Sequence, residues 1–210
     1  NSRQGITTLI TGGEMGGLLR YRDDVLDATP TTVGRLAVRV ADQINTQLGQ
    51  GLDLKGNFGE PLFRDINDLT SVEQRSLARL GNSDPSANLY VFIEDTTTLT
   101  TSDYEVEFTG AGGEYTVRRL TDGTIFTGDL DNLPVDEFDG FSLQLPPALT
   151  NANFAAGDKF RITPTRNEGS YIRADLKNPE ELAFASPLKA ETSPANIGTG
   201  TITQPSLITQ

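Results

Sequence analysis

The sequence predicts an α+β protein that is mostly β, with a base segment of helices and loops and a small antiparallel β sandwich or barrel. Three observations lead to this class. Residues 28–48 repeat apolar side chains at helical spacing, and six later stretches alternate like β-strands. The 210 residues also include 21 glycines and 11 prolines, which separate the short strand-like stretches as turns would.

Two helices are predicted near the start of the chain. A glycine-rich turn at Gly12–Gly17 precedes a first helix at 18–26. The second helix, 28–48, has Asp27 as its cap and Pro30 in its first turn, where a missing N–H costs little. Gly49 is expected to end it.

The second helix has an apolar stripe that follows the i, i+3, i+4, i+7 rule. Its members are Val33, Leu36, Ala37, Val40, Ala41, Ile44 and Leu48. Side chains on such a stripe normally face the core of the domain. We therefore expect Leu36, Val40 and Ile44 to anchor the helix to the base segment.

Two shorter helices are also predicted. Ser71–Gln74 has the form of a capping box and predicts a helix to Leu80. Gly81–Pro85 then indicates a linker at a domain boundary. Further along, Asn178 precedes a proline and two acids, which predicts a short helix through Phe184.

Strands are predicted at 5–10 and then, after the linker, at 88–95, 101–110, 114–120, 123–128, 140–146 and 158–164. One face of the strand at 101–110 is expected to be buried, and it carries Tyr104, Val106 and Phe108. The other face is expected to meet solvent, and it carries Asp103, Glu105 and Glu107. The segment Gly110–Gly113 is expected to close a hairpin onto the next strand.

These elements predict three regions. Residues 1–84 form the helix-containing base, and 85–168 form the antiparallel β-domain. Residues 169–210 form a return segment, with a short helix and an extended tail, that is expected to pack on 1–84. The start of the chain has no initiator methionine and no pattern of a secretory signal, so we expect a fragment or a processed piece.

Composition excludes several classes of function. A net charge of −12 disfavours nucleic acid and anionic membranes as partners. No apolar run approaches the roughly 20 residues of a membrane span. The absence of cysteine excludes disulfides and thiolate chemistry, and the absence of histidine removes the commonest catalytic base.

Four segments contain the residue types that chemical sites use. Gly12–Gly17 lacks the Lys-Ser/Thr pair of a phosphate loop, and Asp53–Asn57 has too few oxygen ligands for a metal. The acidic run Asp129–Asp139 departs from an EF-hand loop, but a weak cation site there stays open beside the favoured solvated loop. The acids at 103, 105 and 107 could serve a glycosidase only with a second carboxylate opposite them. We therefore predict no catalytic, cofactor-binding or metal-binding residues.

The segment Gly12–Phe63 resembles the flagellar hook-associated proteins of the FlgK type. In that family, GGxxGGLLxxRDxxLD leads into LGRLAxxxADxxNxQ and then GxDLxGNxGxxxF. The residues that match are Gly12, Gly13, Gly16, Gly17, Leu18, Leu19, Arg22, Asp23, Leu26, Asp27, Gly34, Arg35, Leu36, Ala37, Ala41, Asp42, Asn45, Gln47, Gly51, Asp53, Leu54, Gly56, Asn57, Gly59 and Phe63.

Later segments continue the resemblance in the same order. Residues 99–123 are similar to the family pattern LxxSDYxxxFxGxxGxYxVxRLxDG. Residues 157–187 are similar to GDxFxIxPTRxxAxxIxxxLxxPxxLAxASP, with Gly169 where alanine is usual. Residues 196–205 are similar to NxGxGxIxxP.

This resemblance implies a structural, non-catalytic protein of the bacterial flagellum, placed outside the cell at the hook–filament junction and secreted by flagellar export. The implied partners are the hook protein, the next hook-associated protein and copies of itself. The chain would be a central, outward-facing fragment without the family's long terminal helices, monomeric by itself and without cofactors. Two alternative functions stay open: an extracellular adhesion or binding module, and a hydrolase with paired carboxylates.

Overall fold

A computed structural model describes residues 12–21, 28–110, 112–132 and 135–186, together with 198, 199 and 203. The strand predicted at 5–10, the cap at Asp27 and nearly all of the tail lie outside these residues. Contacts divide the chain into two compact units, Asn1–Arg39 with Ile66–Ile172, and Val40–Asp65 with Arg173–Gln210. The three-region division stays a prediction.

The α-helices are α1 (Gly13–Tyr21), α2 (Ala28–Gly49), α3 (Leu69–Gln74) and α4 (Glu168–Tyr171). The prediction of a long helix at 28–48 is confirmed. The prediction of a glycine turn at Gly12–Gly17 is wrong, because α1 begins at Gly13 and the N–H of Gly16 donates to the carbonyl of Gly12. Glycine weakens a helix by about 1 kcal/mol per residue but does not forbid one. No helix of the described residues is long and apolar enough to cross a membrane.

The helix predicted from Ser71 to Leu80 has different ends in the structure. Its cap is Asp68, whose side chain accepts the N–H of Ser71 at 3.0 Å. It stops at Gln74, and residues 76–78 form a strand instead. The helix predicted near 178–184 is a single 3₁₀ turn, Pro179–Glu181.

The strands are β1 (Ser76–Ala78), β2 (Tyr90–Ile93), β3 (Tyr104–Phe108), β4 (Glu114–Arg119), β5 (Ile125–Asp129), β6 (Glu137–Phe138), β7 (Phe141–Gln144) and β8 (Lys159–Ile162). They form a five-stranded sheet in the order β1-β8-β3-β4-β5 and a three-stranded sheet in the order β2-β7-β6. All pairings are antiparallel. The predicted class, α+β and mostly β with an antiparallel β-domain, is confirmed.

Six of the eight strands coincide with the predicted stretches after residue 88. The hairpin of β6 and β7 was missed, although Asp139-Gly140 is a strong hairpin signal. Both residues have positive φ, 48° and 85°, as the two central residues of a type I′ turn require. Asp139 was assigned instead to the acidic run before it.

Both sheets contribute to one hydrophobic core. Tyr104, Val106 and Phe108 of β3 are buried, as predicted, and side chains of β2 and β7 join the same cluster. Phe108 stacks on Phe154, with ring centroids 4.5 Å apart. The core therefore fixes β3 at the centre of the larger sheet and leaves the opposite face of that sheet free for charged residues.

The packed side of α2 coincides with the predicted apolar stripe only in the second unit, where Ala41 and Leu48 are buried. Leu36 is 63% exposed and Val40 37%, so the prediction that they anchor the helix is wrong. In the first unit the buried positions of α2 include Thr31, Gly34 and Val38, of which Val38 packs with Ile93 and Leu99. Small and polar residues lie on the packed side because the neighbouring backbone approaches it closely.

We expect Val38→Ala to lower the free energy of unfolding by about 2 kcal/mol, because it opens space in a buried cluster. Leu36→Ala should change it by no more than about 0.5 kcal/mol, since that side chain is mostly in solvent. Urea unfolding of both variants compares them on the same helix. An equal loss in the two variants would contradict this assignment of the packed side.

A buried positioning site and the charged face of the sheet

Arg75, directly after α3, is a charged side chain inside the protein, 2% exposed. Its Nε donates to Oε1 of Glu168 at 2.9 Å. Its Nη1 donates to the carbonyl of Val91 at 2.9 Å and to Oδ1 of Asn67 at 3.2 Å. Its Nη2 donates to the carbonyl of Ile66. One guanidinium thus joins α4, β2 and the segment that leads into α3.

Asn67 extends this site. Its Nδ2 donates to the carbonyl of Ile93 at 2.8 Å, and its Oδ1 accepts the N–H of Ile93 at 2.9 Å. The carbonyl of Arg75 accepts the N–H of Thr163 at 2.8 Å. Donors and acceptors are therefore matched across elements that are far apart in sequence, which makes Arg75 a positioning residue for the first unit.

The outward face of the five-stranded sheet carries ion pairs and is called here the charged face. Its cations are Arg79, Arg118, Lys159, Arg161 and Arg166, and its acids are Asp103, Glu105 and Glu107. Glu105 pairs with Arg79 and Arg118, the latter at 2.7 Å. Asp103 pairs with Arg161, at 2.6 Å, and with Arg166.

The expectation that this row of acids meets solvent is wrong for two of its members. Asp103 is 7% exposed and Glu105 8%, because the long arginine side chains of neighbouring strands cover them. Glu107 is only half-buried and pairs with Lys159 at 2.8 Å. All three acids are thus held by cations, which is the arrangement of a structural face.

The pKa of Glu105 reflects this arrangement. Burial raises it, but the hydrogen bond from Arg118 and the charges of Arg79 and Arg118 outweigh burial and hold the pKa below its ordinary value. Asp158 behaves similarly: burial raises its pKa, and hydrogen bonds from Ser83 and from the N–H of Ala155 lower it further than burial raises it.

We expect the free energy of unfolding to fall on acidification below about pH 4.5 and to stay nearly constant between about pH 6 and 8. A carboxylate with a lowered folded pKa stabilises the fold above its unfolded pKa and loses that contribution as pH falls through the folded value. The chain has no histidine to titrate near neutrality. Urea unfolding at several pH values tests this, and Glu105→Gln should make the acid slope shallower. An unchanged slope would show that Glu105 does not contribute.

The acidic run Asp129–Asp139 is organised by hydrogen bonds. Asp136 Oδ2 accepts the N–H of Asp129 at 2.9 Å and Nδ2 of Asn132 at 2.8 Å. Asp139 is bound by residues outside the run. Arg119 donates to both of its carboxylate oxygens, at 2.9 and 2.6 Å, and the hydroxyl of Tyr104 donates to it at 2.6 Å. No group of three or more acids that could hold a metal occurs among the residues that the structure describes.

The segment Asp53–Asn57 forms a closed turn. Asp53 Oδ1 accepts the N–H groups of Lys55 and Asn57, each at 2.8 Å. These bonds lower the pKa of Asp53, the one from Asn57 most strongly. Gly56 lies in the turn with φ of 82°. The carboxylate is thus occupied by its own backbone.

Models of known protein families match both the helical start of the chain and most of its strands. A family model described as the flagellar hook-associated protein FlgK helical domain matches residues 1–63, and one described as the flagellar hook-associated protein 1 D2-like domain matches 77–164. The chain belongs to the FlgK family of flagellar hook-associated proteins. Most of the first unit and the start of the second are thereby assigned to FlgK domains.

Individual FlgK proteins align over most of the chain. It is 29% identical to flagellar hook-associated protein 1 of Salmonella typhimurium over 183 residues, 87% of this chain and 31% of that protein. The Escherichia coli protein of the same name is 25% identical over 85% of this chain. The solved flagellar hook junction protein FlgK from Burkholderia pseudomallei has 33% identity and a TM-score of 0.74 over 92% of this chain and 33% of its own. The chain thus spans about a third of the length of these relatives.

The FlgK-type residues of the first unit have packing roles in the structure. A Cβ on Gly34 would lie 1.7 Å from the carbonyl oxygen of Thr165. Asp103 of the SDY segment pairs with Arg166 of the PTR segment. The resemblance therefore reflects close backbone approach and buried charge.

In the second unit the same pattern holds. Asn45 binds Phe63 twice through the backbone, donating to its carbonyl at 2.8 Å and accepting its N–H at 2.9 Å. A Cβ on Gly51 would lie 2.0 Å from the carbonyl oxygen of Ala183, and one on Gly59 would lie 2.2 Å from that of Leu48. These family positions hold the C-terminal part of α2 and the loop after it against the segments around Phe63 and Ala183.

Arg75 was missed because nothing in the sequence marks it. It follows a short helix, where arginine is normally a surface residue. Its burial depends on Glu168, which lies 93 residues away in sequence. The cap at Asp68, by contrast, had a local signal, an acid three residues before the N–H that it accepts.

Proposed function

We propose that the protein containing this chain is a structural component of the bacterial flagellum at the hook–filament junction, secreted by flagellar export and located outside the cell. Its partners are the hook protein, the next hook-associated protein and copies of itself. The chain is its outward-facing central part. The observation that carries this proposal is the 92% coverage of the chain by a flagellar hook junction protein of the same fold.

We also propose that the role is mechanical and involves no catalytic, cofactor-binding or metal-binding residues. The acids weighed as catalytic, Asp103, Glu105 and Glu107, are paired with basic side chains. A general acid or nucleophile needs a carboxyl group that can reach substrate. In this proposal the paired charges hold strands and loops together.

Gold-labelled antibodies raised against this chain test the location. On intact flagella of the bacterium that encodes the protein, we expect label in one narrow band between hook and filament. A strain without the gene is the control, and it should carry hooks without filaments and no label. Complementation with the whole gene should restore both.

Two results would overturn the proposal. Label along the filament or over the cell body would favour an adhesion or binding module. Normal filaments in the strain without the gene would show that the junction does not depend on this protein.

A further inference from the structure

The charged face exposes mainly its cations, although the chain as a whole is acidic. The side chains of Arg79, Arg118 and Arg161 are 56%, 48% and 44% exposed, whereas those of Asp103 and Glu105 are 6% and 10% exposed. Glu107, at 44%, is the exposed acid of this set. Five cations lie over three acids, two of them buried, in a chain of net charge −12. The surface presented to a partner is therefore positive on this side.

The opposite edge of the same sheet, formed by β4 and β5, is acidic at the end where β4 begins and β5 ends. Glu114 of β4 lies directly across from Asp129 of β5, and Asp131 follows in the turn. No salt bridge of the described residues involves these three acids. Charge on the face thus changes sign from the β1–β8 side to this end of the β4–β5 edge, whereas Arg118 keeps the other end of β4 cationic.

Exposed apolar side chains lie at both ends of one row across this face. The register places Leu77 beside Arg161, Arg161 beside Glu105, Glu105 beside Arg118, and Arg118 beside Ile125. Leu77 is 55% exposed and Ile125 62%. Arginine and apolar groups on one surface are typical of interface cores, whereas a solvated face is rich in lysine and glutamate.

We propose that the charged face is a contact surface between copies of this chain, in which the cationic β1–β8 side of one copy meets the acidic β4–β5 edge of the next. Charge complementarity argues for a second copy, because each copy carries both halves of the contact. It also orients the copies, since a like-to-like arrangement would place equal charges together. This proposal rests on the proposed function, because it requires several copies of the chain in one assembly. In such an assembly many weak contacts act together.

Charge exchange tests the contact in solution. One variant, Arg79→Glu/Lys159→Glu, makes the whole face acidic, and a second, Glu114→Lys/Asp131→Lys, makes it cationic. Because each reversal changes the charge by two, their net charges are −16 and −8 against −12 for the parent chain. Sedimentation equilibrium from about 10 µM to 1 mM covers the weak association expected of one contact outside the assembly.

We expect the parent chain to associate at the upper concentrations, and to do so at least about 10-fold more weakly in 0.5 M salt than in 0.05 M salt. Each variant alone should associate at least about 10-fold more weakly, and their equimolar mixture should associate as the parent does. Should Arg79→Glu/Lys159→Glu unfold, as judged by circular dichroism, Arg79→Gln/Lys159→Gln replaces it. The cationic variant alters two exposed acids, Glu114 and Asp131, and should keep the fold.

Two outcomes overturn the contact. One is a parent chain that stays monomeric at about 1 mM in 0.05 M salt. The other is stronger association of the −8 variant than of the parent, which would show that net repulsion alone governs contact between copies. If the labelling experiment shows a junction band and either of these outcomes is found, the contact between copies through the charged face is disproved. The proposed function would then still stand.

Discussion

Arg75→Met is expected to lower the free energy of unfolding by about 3–5 kcal/mol. Methionine replaces the aliphatic stem of the arginine but leaves the carboxylate of Glu168 buried without its cation. The carbonyls of Val91 and Ile66 lose a donor at the same time. Urea or guanidinium unfolding of the chain measures this loss directly.

Two further variants separate charge from packing at this site. Arg75→Met/Glu168→Gln should recover roughly 1–3 kcal/mol, because it removes the unpaired charge but not the unpaired carbonyls. Arg118→Met is the matched control, since its side chain is 48% exposed and Glu105 keeps Arg79; it should cost less than about 1 kcal/mol. Equal losses in Arg75→Met and Arg118→Met would show that Arg75 has no special role.

Gly34→Ala is expected to destabilise the first unit by about 3 kcal/mol, although alanine is the better helix former. The added Cβ would lie 1.7 Å from the carbonyl oxygen and 2.9 Å from the carbonyl carbon of Thr165, and backbone cannot move aside as a flexible side chain can. The hydrogen bond from Thr165 Oγ1 to the carbonyl of Thr31 would be displaced as well. Thermal and urea unfolding both report the change.

Gly17→Ala in α1 is the matched control for this prediction. Its Cβ would meet no atom within 4 Å, and φ there is not positive, so the helix should gain up to about 1 kcal/mol. The two substitutions are chemically the same and are expected to have opposite signs. A gain in both variants would mean that α2 does not pack on the segment around Thr165.

Much of the fold was predictable because it depends on patterns within one segment. Apolar spacing in residues 28–48 identified α2, and alternation identified six strands and the buried face of β3. The long run of FlgK-type residues identified the family. The same local reasoning misplaced α1, because the glycines at 12–17 predicted a turn. It also misplaced the end of α3, because the capping pattern at Ser71–Gln74 predicted a longer helix.

The candidate site was less predictable, since it depends on partners that are distant in sequence. A stripe of apolar residues indicates that α2 is amphipathic, but Gly34 allows the backbone near Thr165 to approach another side, which leaves Leu36 in solvent. A row of alternating acids indicates a polar face of β3, but arginines from β4 and β8 bury two of them.

The sequence by itself determined the class of fold, the long helix, most strands, and the FlgK family. Only the tertiary structure decided which side of α2 packs, that Arg75 is buried, and that the charged face is cationic on one side and acidic on the other. The physical reason is that periodicity is set by neighbours along the chain, whereas burial and charge pairing are set by backbone and side chains that the fold brings together, such as Arg75 and Glu168, 93 residues apart.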